Sequence, residues 1–176
     1  MKKIILITGG QRSGKSSYAE RLALSLSPTP VYLATAHAWD EEFIRRIENH
    51  KARRGTQWTN IEEERFLSQH NVNDRVIVVD CVTLWCTNFF FSSSNEGKNK
   101  PDVSKVLSEM KAEFDKFTAQ NATFIFVTNE IGSGEISSNP LQRQFTDLQG
   151  WLNQYIASKA DEVILMTCGI EMKIKG

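Results

Sequence analysis

The amino-acid sequence predicts an α/β fold in which a mostly parallel β-sheet is covered by helices on both faces. Short apolar runs, each typical of a buried strand, occur at residues 3–7, 31–34, 75–79, 123–127 and 162–166. Segments with helical spacing lie between most of these runs. Strands that alternate with helices are usually parallel, and the helices then bury both faces of the sheet. Ligands bind such sheets at the carboxyl ends of the strands, so the residues that follow each run are candidates for a site.

Two helices are predicted in the first third of the chain. Residues 15–26 follow the first strand, and residues 40–53 place Phe43, Ile47 and His50 on one face at 100° per residue. Both segments alternate with predicted strands, as a parallel sheet requires.

Two longer helices are predicted at residues 102–119 and 140–158, and Asp102 is a suitable N-cap for the first of them. Their apolar stripes consist of Val103, Val106, Leu107, Met110, Phe114 and Phe117 in the first, and Leu141, Phe145, Leu148, Leu152 and Ile156 in the second. After Gly169, residues 172–174 are a candidate for an added, antiparallel edge strand.

The most informative motif lies between the first strand and the first helix. Residues 9–16 read G-G-Q-R-S-G-K-S, a complete G-x-x-x-x-G-K-[ST] phosphate loop. Its glycines permit backbone angles that a side chain would obstruct, and the helix N-terminus directs N–H groups at a phosphate. Lys15 can reach the β- and γ-phosphates, and the Ser16 hydroxyl can hold Mg²⁺. A chance match is the alternative, but the strand–loop–helix context fits. We therefore predict a P-loop NTPase-like domain that binds ATP or GTP through Gly9, Gly10, Gln11, Arg12, Ser13, Gly14, Lys15 and Ser16.

Composition narrows the class of protein further. A chain of 176 residues, 40% hydrophobic and 24% charged, is typical of one globular domain, which we expect to span residues 1–176. Its net charge of zero argues against a nucleic-acid partner. The three cysteines form no C-x-x-C pair, which favours a reducing cytoplasm over a disulfide framework. No apolar stretch approaches the ~20 residues of a membrane span.

A phosphate-loop enzyme also needs a carboxylate at the end of a neighbouring strand to organise Mg²⁺. The apolar residues 76–79 are followed directly by Asp80. The alternative is that Asp80 caps a helix that starts near Val82. Because the chain has a phosphate loop, we favour the interpretation that Asp80 helps to bind the metal. We therefore predict that Ser16 and Asp80 hold Mg²⁺.

A cluster of basic residues surrounds His50, namely Arg46, Lys51, Arg53 and Arg54. A histidine on an apolar helix face is most often a satisfied core residue, and that interpretation stays open at this point. Four cations near one imidazole call for an anionic partner, however, and a polyphosphate would supply it.

Several motifs together resemble those of a known family. The most specific are R-I-x-x-H-x-x-x-R at residues 46–54 and T-N-E-x-G-x-G at residues 128–134, which a generic P-loop kinase lacks. With Y-x-A-T at 32–35 and D-C-x-T at 80–83, the chain resembles the bifunctional adenosylcobinamide kinase/adenosylcobinamide-phosphate guanylyltransferases of cobalamin biosynthesis. The resemblance covers almost the whole chain.

The resemblance implies two reactions on one nucleotide loop. A nucleoside triphosphate first phosphorylates the aminopropanol hydroxyl of adenosylcobinamide, and GTP then donates GMP to adenosylcobinamide phosphate with release of pyrophosphate. In the family, the histidine that matches His50 carries GMP covalently. The chemistry agrees, because a neutral imidazole is a good nucleophile at phosphorus near pH 7. The chain also lacks the K-x-D-G segment of lysine-dependent nucleotidyltransferases. We therefore expect His50, Lys15 and Asp80 to be catalytic.

The same resemblance places further residues near the nucleotide and implies a homo-oligomer. These residues are Thr35, Lys51, Arg53, Arg54, Glu62 and Asp80. Thr35 is alternatively a strand-end threonine, and Glu62 is alternatively one member of an acidic run. The basic residues 51–54 are alternatively a solvated helix end, and Asp80 is alternatively the helix cap described above. Two other functions also stay open. The first is a single-activity P-loop small-molecule kinase with a structural His50, and the second is a nucleotide-gated binding protein without transfer chemistry.

Overall fold

The computed structural model describes residues 2–37, 54–92 and 101–176. Its strands are β1 (Lys3–Gly9), β2 (Val31–Ala34), β3 (Thr59–Glu62), β4 (Val76–Asp80), β5 (Thr123–Val127), β6 (Glu162–Thr167) and β7 (Ile170–Lys175). They form one sheet in the order β3-β2-β4-β5-β1-β6-β7. The strands β1 to β6 are parallel, and β7 pairs antiparallel with β6. The predicted mostly parallel sheet with an antiparallel edge is confirmed.

The described helices are α1 (Lys15–Leu26), α2 (Val82–Ser92), α3 (Val103–Phe117) and α4 (Pro140–Lys159), with a short 3₁₀ helix at Leu67–Gln69. The predicted cap of α3 is present, because the Asp102 carboxylate accepts a hydrogen bond from the backbone N–H of Lys105 at 3.1 Å. The helix predicted at residues 40–53 lies outside the described residues.

The alternation of side chains along the strands divides the core between the two faces of the sheet. On one face, Ile5 and Ile7 of β1 belong to a cluster with Ala19 and Ala23 of α1. On the other face, Leu6 belongs to a larger aromatic-rich cluster with residues of α2, α3 and α4. Helices therefore cover both faces, with α1 on one face and most of α2, α3 and α4 on the other.

The strand β3 was not predicted from the sequence. Its four residues, T-N-I-E, are mostly polar and exposed, with a single apolar residue, Ile61. β3 forms an edge of the sheet and pairs only with β2. Because its side chains lie largely outside the core, this edge strand needs little apolar character, and hydrophobic patterning does not reveal it.

Candidate nucleotide site

The phosphate loop joins β1 to α1 in the predicted strand–loop–helix context. Gly14 caps α1 with a left-handed backbone, at φ 96°, and no side chain caps the helix. The first turn of α1, which contains Ser16, therefore presents backbone N–H groups that have no partner within the helix. Such a helix N-terminus is suited to bind a phosphate.

Gly9 leaves no room for a side chain. Its φ is +148°, and a Cβ built there would come closer to the Met166 carbonyl oxygen of β6 than real Cβ atoms do. Gly10, by contrast, would place a Cβ in open space. The first glycine of the motif is therefore required by the close approach of β1 and β6.

We expect Gly9→Ala to lower the free energy of unfolding by about 1–3 kcal/mol, because the clashing neighbour is backbone and cannot rotate away. Gly10→Ala is the matched control and is expected to change it little, since the added methyl group meets no atom within 4 Å. Urea unfolding of the two variants and the wild type, without nucleotide, measures the difference. Equal losses in both variants would contradict the prediction.

The turn between β6 and β7 supports the loop from one side. The backbone N–H of Gly169 donates to the Ser13 carbonyl oxygen at 3.0 Å. A Cβ on Gly14 would lie 3.3 Å from the Gly169 Cα atom. Because this contact joins residues far apart in sequence, no local pattern predicted it.

The Lys15 amino group is held inside the loop. Its side chain is buried, and Nζ donates to the Gly10 carbonyl oxygen at 2.6 Å and to Ser13 Oγ at 3.4 Å. Burial lowers the pKa of this amino group, whereas the neighbouring Cys81 and Asp80 act to raise it. A buried ammonium group is stabilised by an anionic partner, and a phosphate in the loop would be one.

Asp80 is the last residue of β4, on the same edge of the sheet as the loop. β4 does not neighbour β1, because β5 lies between them. The register pairs Asp80 with Val127, and Val127 with Ile7. At roughly 4.8 Å between adjacent strands, the Asp80 backbone lies about 10 Å from β1. Lys15 and Asp80 nevertheless lie close enough for the carboxylate to act on the pKa of the amino group.

Asp80 also has a hydrogen-bond partner on β2 that is distant in the sequence. Tyr32 of β2 is buried, and its hydroxyl group donates to Asp80 Oδ2 at 2.6 Å. Burial and the Asp80 charge raise the pKa of the Tyr32 phenol well above its usual value. The phenol is therefore protonated at neutral pH and acts as the donor.

Thr35 is fully buried just beyond β2. Its hydroxyl group donates to the Cys81 carbonyl oxygen at 2.7 Å and accepts from the Cys81 backbone N–H at 2.9 Å. Both bonds join the ends of β2 and β4, as expected of a strand-end threonine. A direct contact of Thr35 with the nucleotide stays a prediction.

Glu62 lies at the end of β3, where the register pairs it with Ala34, and Ala34 pairs with Asp80. It is exposed at the same edge of the sheet as Asp80, two strands away. The fold therefore places Glu62 at the side of the candidate site that is distant from the phosphate loop. Its contact with the nucleotide stays a prediction.

Arg54 is the first described residue after the predicted His50 helix. Its Nε donates to Asn60 Oδ1 at 2.9 Å, and its guanidinium carbon lies 3.6 Å from the centroid of the Tyr32 ring. Its Nη1 is buried and has no hydrogen-bond partner within residues 2–37, 54–92 and 101–176. The predicted site residues His50, Lys51 and Arg53 lie outside the described residues.

A buried polar network connects the ends of β4 and β5. The Gln149 Nε2 of α4 donates to Thr83 Oγ1 at 3.1 Å and to Thr128 Oγ1 at 2.9 Å. Thr128 donates to Asn153 Oδ1 at 2.7 Å, and the Asn129 backbone N–H donates to Thr83 Oγ1 at 3.0 Å. No role for this network was predicted from the sequence, although Thr83, Thr128 and Asn129 belong to the family motifs at residues 80–83 and 128–134. A further local signal is the pair of amide side chains four residues apart on α4.

The three cysteines differ sharply in environment. Cys168 is exposed in the β6–β7 turn, whereas Cys81 and Cys86 are buried. Burial raises the pKa of both buried thiols to about 12. Since the thiolate is the reactive species, the buried thiols are expected to be inert at pH 8.

Treatment of the native protein with iodoacetamide at pH 8 is expected to modify Cys168 alone. In urea all three cysteines should react, and Cys168→Ser should remove the modification of the native protein. Intact mass over time measures the number of modified thiols. A second fast modification in the folded protein would contradict the burial of Cys81 and Cys86.

Within the described residues, no helix is long and apolar enough to cross a membrane.

Comparison with known proteins identifies the family to which this chain belongs. Residues 5–174 match the family model described as CobU, cobinamide kinase / cobinamide phosphate guanyltransferase. The bifunctional adenosylcobalamin biosynthesis protein CobP of Pseudomonas aeruginosa is 37% identical over 175 residues, which cover 97% of this chain and 96% of the relative. The bifunctional adenosylcobalamin biosynthesis protein CobU of Salmonella typhimurium is 36% identical over 183 residues, with 98% and 99% covered.

Solved structures agree with the fold. An ATPase of a bacterial type III secretion system is similar at a TM-score of 0.59 and 13% identity, covering 94% of this chain and 51% of that one. The ATP synthase subunit NeqB from Nanoarcheaum equitans is similar at a TM-score of 0.54 and 10% identity, covering 94% and 46%. At such low identity these likenesses show the fold alone. The match over nearly the whole sequence shows more: the chain is an enzyme that belongs to the cobinamide kinase / cobinamide phosphate guanyltransferase family.

Proposed function

We propose that this enzyme phosphorylates the aminopropanol hydroxyl of adenosylcobinamide with ATP or GTP, and then transfers GMP from GTP to the new phosphate through a guanylated His50. The observation that carries the proposal is a phosphate loop with buried Lys15 and nearby Asp80, in a chain that matches the bifunctional family over residues 5–174.

In the kinase reaction the phosphate loop binds the triphosphate. Its backbone N–H groups and the N-terminus of α1 surround the phosphates, and Lys15 contacts the β- and γ-phosphates. The substrate hydroxyl oxygen attacks the γ-phosphorus and its proton passes to water, while the bond between the γ-phosphorus and the bridging β-phosphate oxygen breaks. The nucleoside diphosphate leaves, and adenosylcobinamide phosphate remains.

The donor set fits Mg²⁺. The Ser16 hydroxyl lies in the first turn of α1 and the Asp80 carboxylate at the end of β4. Oxygen donors of these types, one neutral and one anionic, suit this hard cation, which is held by few protein ligands together with substrate phosphates. When bound, Mg²⁺ would neutralise charge on the phosphates. Asp80 would orient toward it, and Ser16 would hold it beside Lys15.

In the guanylyl transfer, an imidazole nitrogen of His50 attacks the α-phosphorus of GTP. A nitrogen–phosphorus bond forms, the bond to the β-phosphate oxygen breaks, and pyrophosphate leaves. Lys15, Lys51, Arg53 and Arg54 neutralise the leaving group. A phosphate oxygen of adenosylcobinamide phosphate then attacks the guanylyl phosphorus and regenerates His50. The product is adenosylcobinamide-GDP.

Several general properties belong to the same proposal. The enzyme acts in the cytoplasm as a single-domain homo-oligomer and binds no nucleic acid. The zero net charge supports the proposal that no nucleic acid is bound. The free cysteines support the cytoplasm as the compartment. Ile170, Met172 and Ile174, all exposed on β7, provide apolar surface for a contact between subunits.

Incubation with GTP and Mg²⁺, without any corrinoid, tests the guanylation step. The protein is expected to gain the mass of one GMP, to lose it in acid, and to carry it on the peptide that contains His50. Adenosylcobinamide phosphate should then remove the adduct and yield the GDP-linked product. A protein that binds GTP but gains no mass would overturn the covalent mechanism and favour a single-activity kinase.

A further inference from the structure

Tyr32 joins two parts of the candidate site that are separate in the sequence. Its hydroxyl group donates to Asp80 Oδ2 at 2.6 Å, a length typical of a charge-assisted hydrogen bond. Tyr32 is only 3% exposed, so its hydroxyl group is largely shielded from solvent. With Oδ2 held by the phenol, the orientation of the Asp80 carboxylate is restrained.

The ring of Tyr32 supports a different residue. The Arg54 guanidinium lies over the ring face at 3.6 Å from its centroid. The rings of Trp58 and Tyr32 form an edge contact, with their centroids 5.9 Å apart and their planes at 80°. Trp58 is itself buried, so its ring restricts the space beside the tyrosine ring. A cation is stabilised over a buried aromatic face. The Tyr32 ring therefore holds Arg54, the last residue of the motif at residues 46–54, in this position.

We propose that Tyr32 is a positioning residue for both reactions. Its hydroxyl group orients Asp80 toward Mg²⁺, and its ring holds Arg54 beside the nucleotide. The inference rests on the proposed function, which places Asp80 on the metal side and Arg54 near GTP. Partners that orient a metal-binding carboxylate typically change metal affinity by roughly 10- to 100-fold when removed.

The hydroxyl role is tested with Tyr32→Phe, which keeps the ring and therefore the Arg54 and Trp58 contacts. Isothermal titration calorimetry with GTP, at a series of Mg²⁺ concentrations and in EDTA, separates metal-dependent from metal-independent binding. The expected result is a roughly 10-fold higher Mg²⁺ concentration at half-saturation, with unchanged affinity in EDTA. An unchanged Mg²⁺ dependence would overturn the hydroxyl role, and so would an equal loss of affinity in EDTA.

The chain offers a matched control at Tyr155. Its hydroxyl group donates to Asp115 Oδ2 at 2.7 Å, which is the same pair of groups at nearly the same distance, but on α4 and α3. Tyr155→Phe is expected to leave the Mg²⁺ dependence of GTP binding at the wild-type value. The Tyr155–Asp115 bond is exposed and lies on the helices. A shift equal to that of Tyr32→Phe would mean that loss of a tyrosine–aspartate bond outside the candidate site weakens binding as much, and the proposal would fail.

The ring role is tested with Tyr32→Leu at saturating Mg²⁺. Guanylation of the protein by GTP is expected to be slower than in Tyr32→Phe, and adding Arg54→Ala to Tyr32→Leu should slow it no further. Thermal unfolding of each variant identifies a folding defect. Additive effects of the two substitutions in folded protein would show that the ring does not act through Arg54.

Asp80→Ala separates failure of this inference from failure of the proposed function. If Asp80→Ala shifts the Mg²⁺ dependence and Tyr32→Phe does not, only the role of the hydroxyl group is wrong. If neither substitution shifts it, the metal role of Asp80 is wrong and the proposal for Tyr32 fails with it.

Discussion

Replacing Lys15 with methionine is expected to lower the rates of both phosphorylation and protein guanylation by roughly 10²- to 10³-fold. The two reactions share one phosphate loop, and the amino group of Lys15 is the buried cation within it. Its amino group donates hydrogen bonds to Gly10 and Ser13 of the loop itself. Methionine has a similar length and removes a charge that burial already disfavours, so the fold should survive.

Both rates are measured in the same preparation, by phosphate transfer to adenosylcobinamide and by mass gain from GTP. Lys105→Met, on the exposed side of α3, is the control for loss of one positive charge. It should leave both rates unchanged. A Lys15→Met protein that retains either reaction at the wild-type rate would show that the two reactions do not share this loop.

Replacing His50 with alanine is expected to lower guanylation and guanylyl transfer by roughly 10³-fold or more, while the kinase reaction continues. Only the second reaction uses a protein nucleophile in the proposed mechanism. The rate of phosphorylation of adenosylcobinamide therefore serves as an internal measure of folding and nucleotide binding. Loss of both reactions together would favour a structural histidine over a nucleophile.

The other histidines of the chain provide matched controls. His37 forms an ion pair or hydrogen bond with Glu64 at 2.6 Å, and His70 lies 3.4 Å from Glu63. We expect His37→Ala and His70→Ala to retain the GMP adduct. An adduct that persists on His50→Ala but disappears from either control would assign the nucleophile to another histidine.

Part of the candidate site was predictable because it is local in the sequence. The strand, loop and helix at residues 3–26 follow one another directly, and the spacing of Gly9, Gly14 and Lys15 specifies a loop with its own geometry. Asp80 was identified by the same logic, as a carboxylate at the end of an apolar run. In a parallel sheet all such ends lie at one edge, so strand direction alone brings them near the loop.

Other parts were not predictable, because they depend on which strands are neighbours. The sequence suggested a carboxylate on a strand next to β1, whereas β5 lies between β1 and β4. The contact between Tyr32 and Asp80 joins residues 48 positions apart. Tyr32 reads as an ordinary aromatic residue of a strand until β2 and β4 are paired.

The sequence by itself determined the elements that nearby residues specify: the phosphate loop, the parallel strands other than β3, the α3 cap and the family motifs. These features depend on backbone preferences and spacing within a few residues, which the order of amino acids contains directly. Only the tertiary structure decided the order of the strands, the close approach of β6 that makes Gly9 necessary, and the partners of Asp80. Those contacts form when distant segments bury apolar surface together, and the packing that minimises exposed area then selects which polar groups meet.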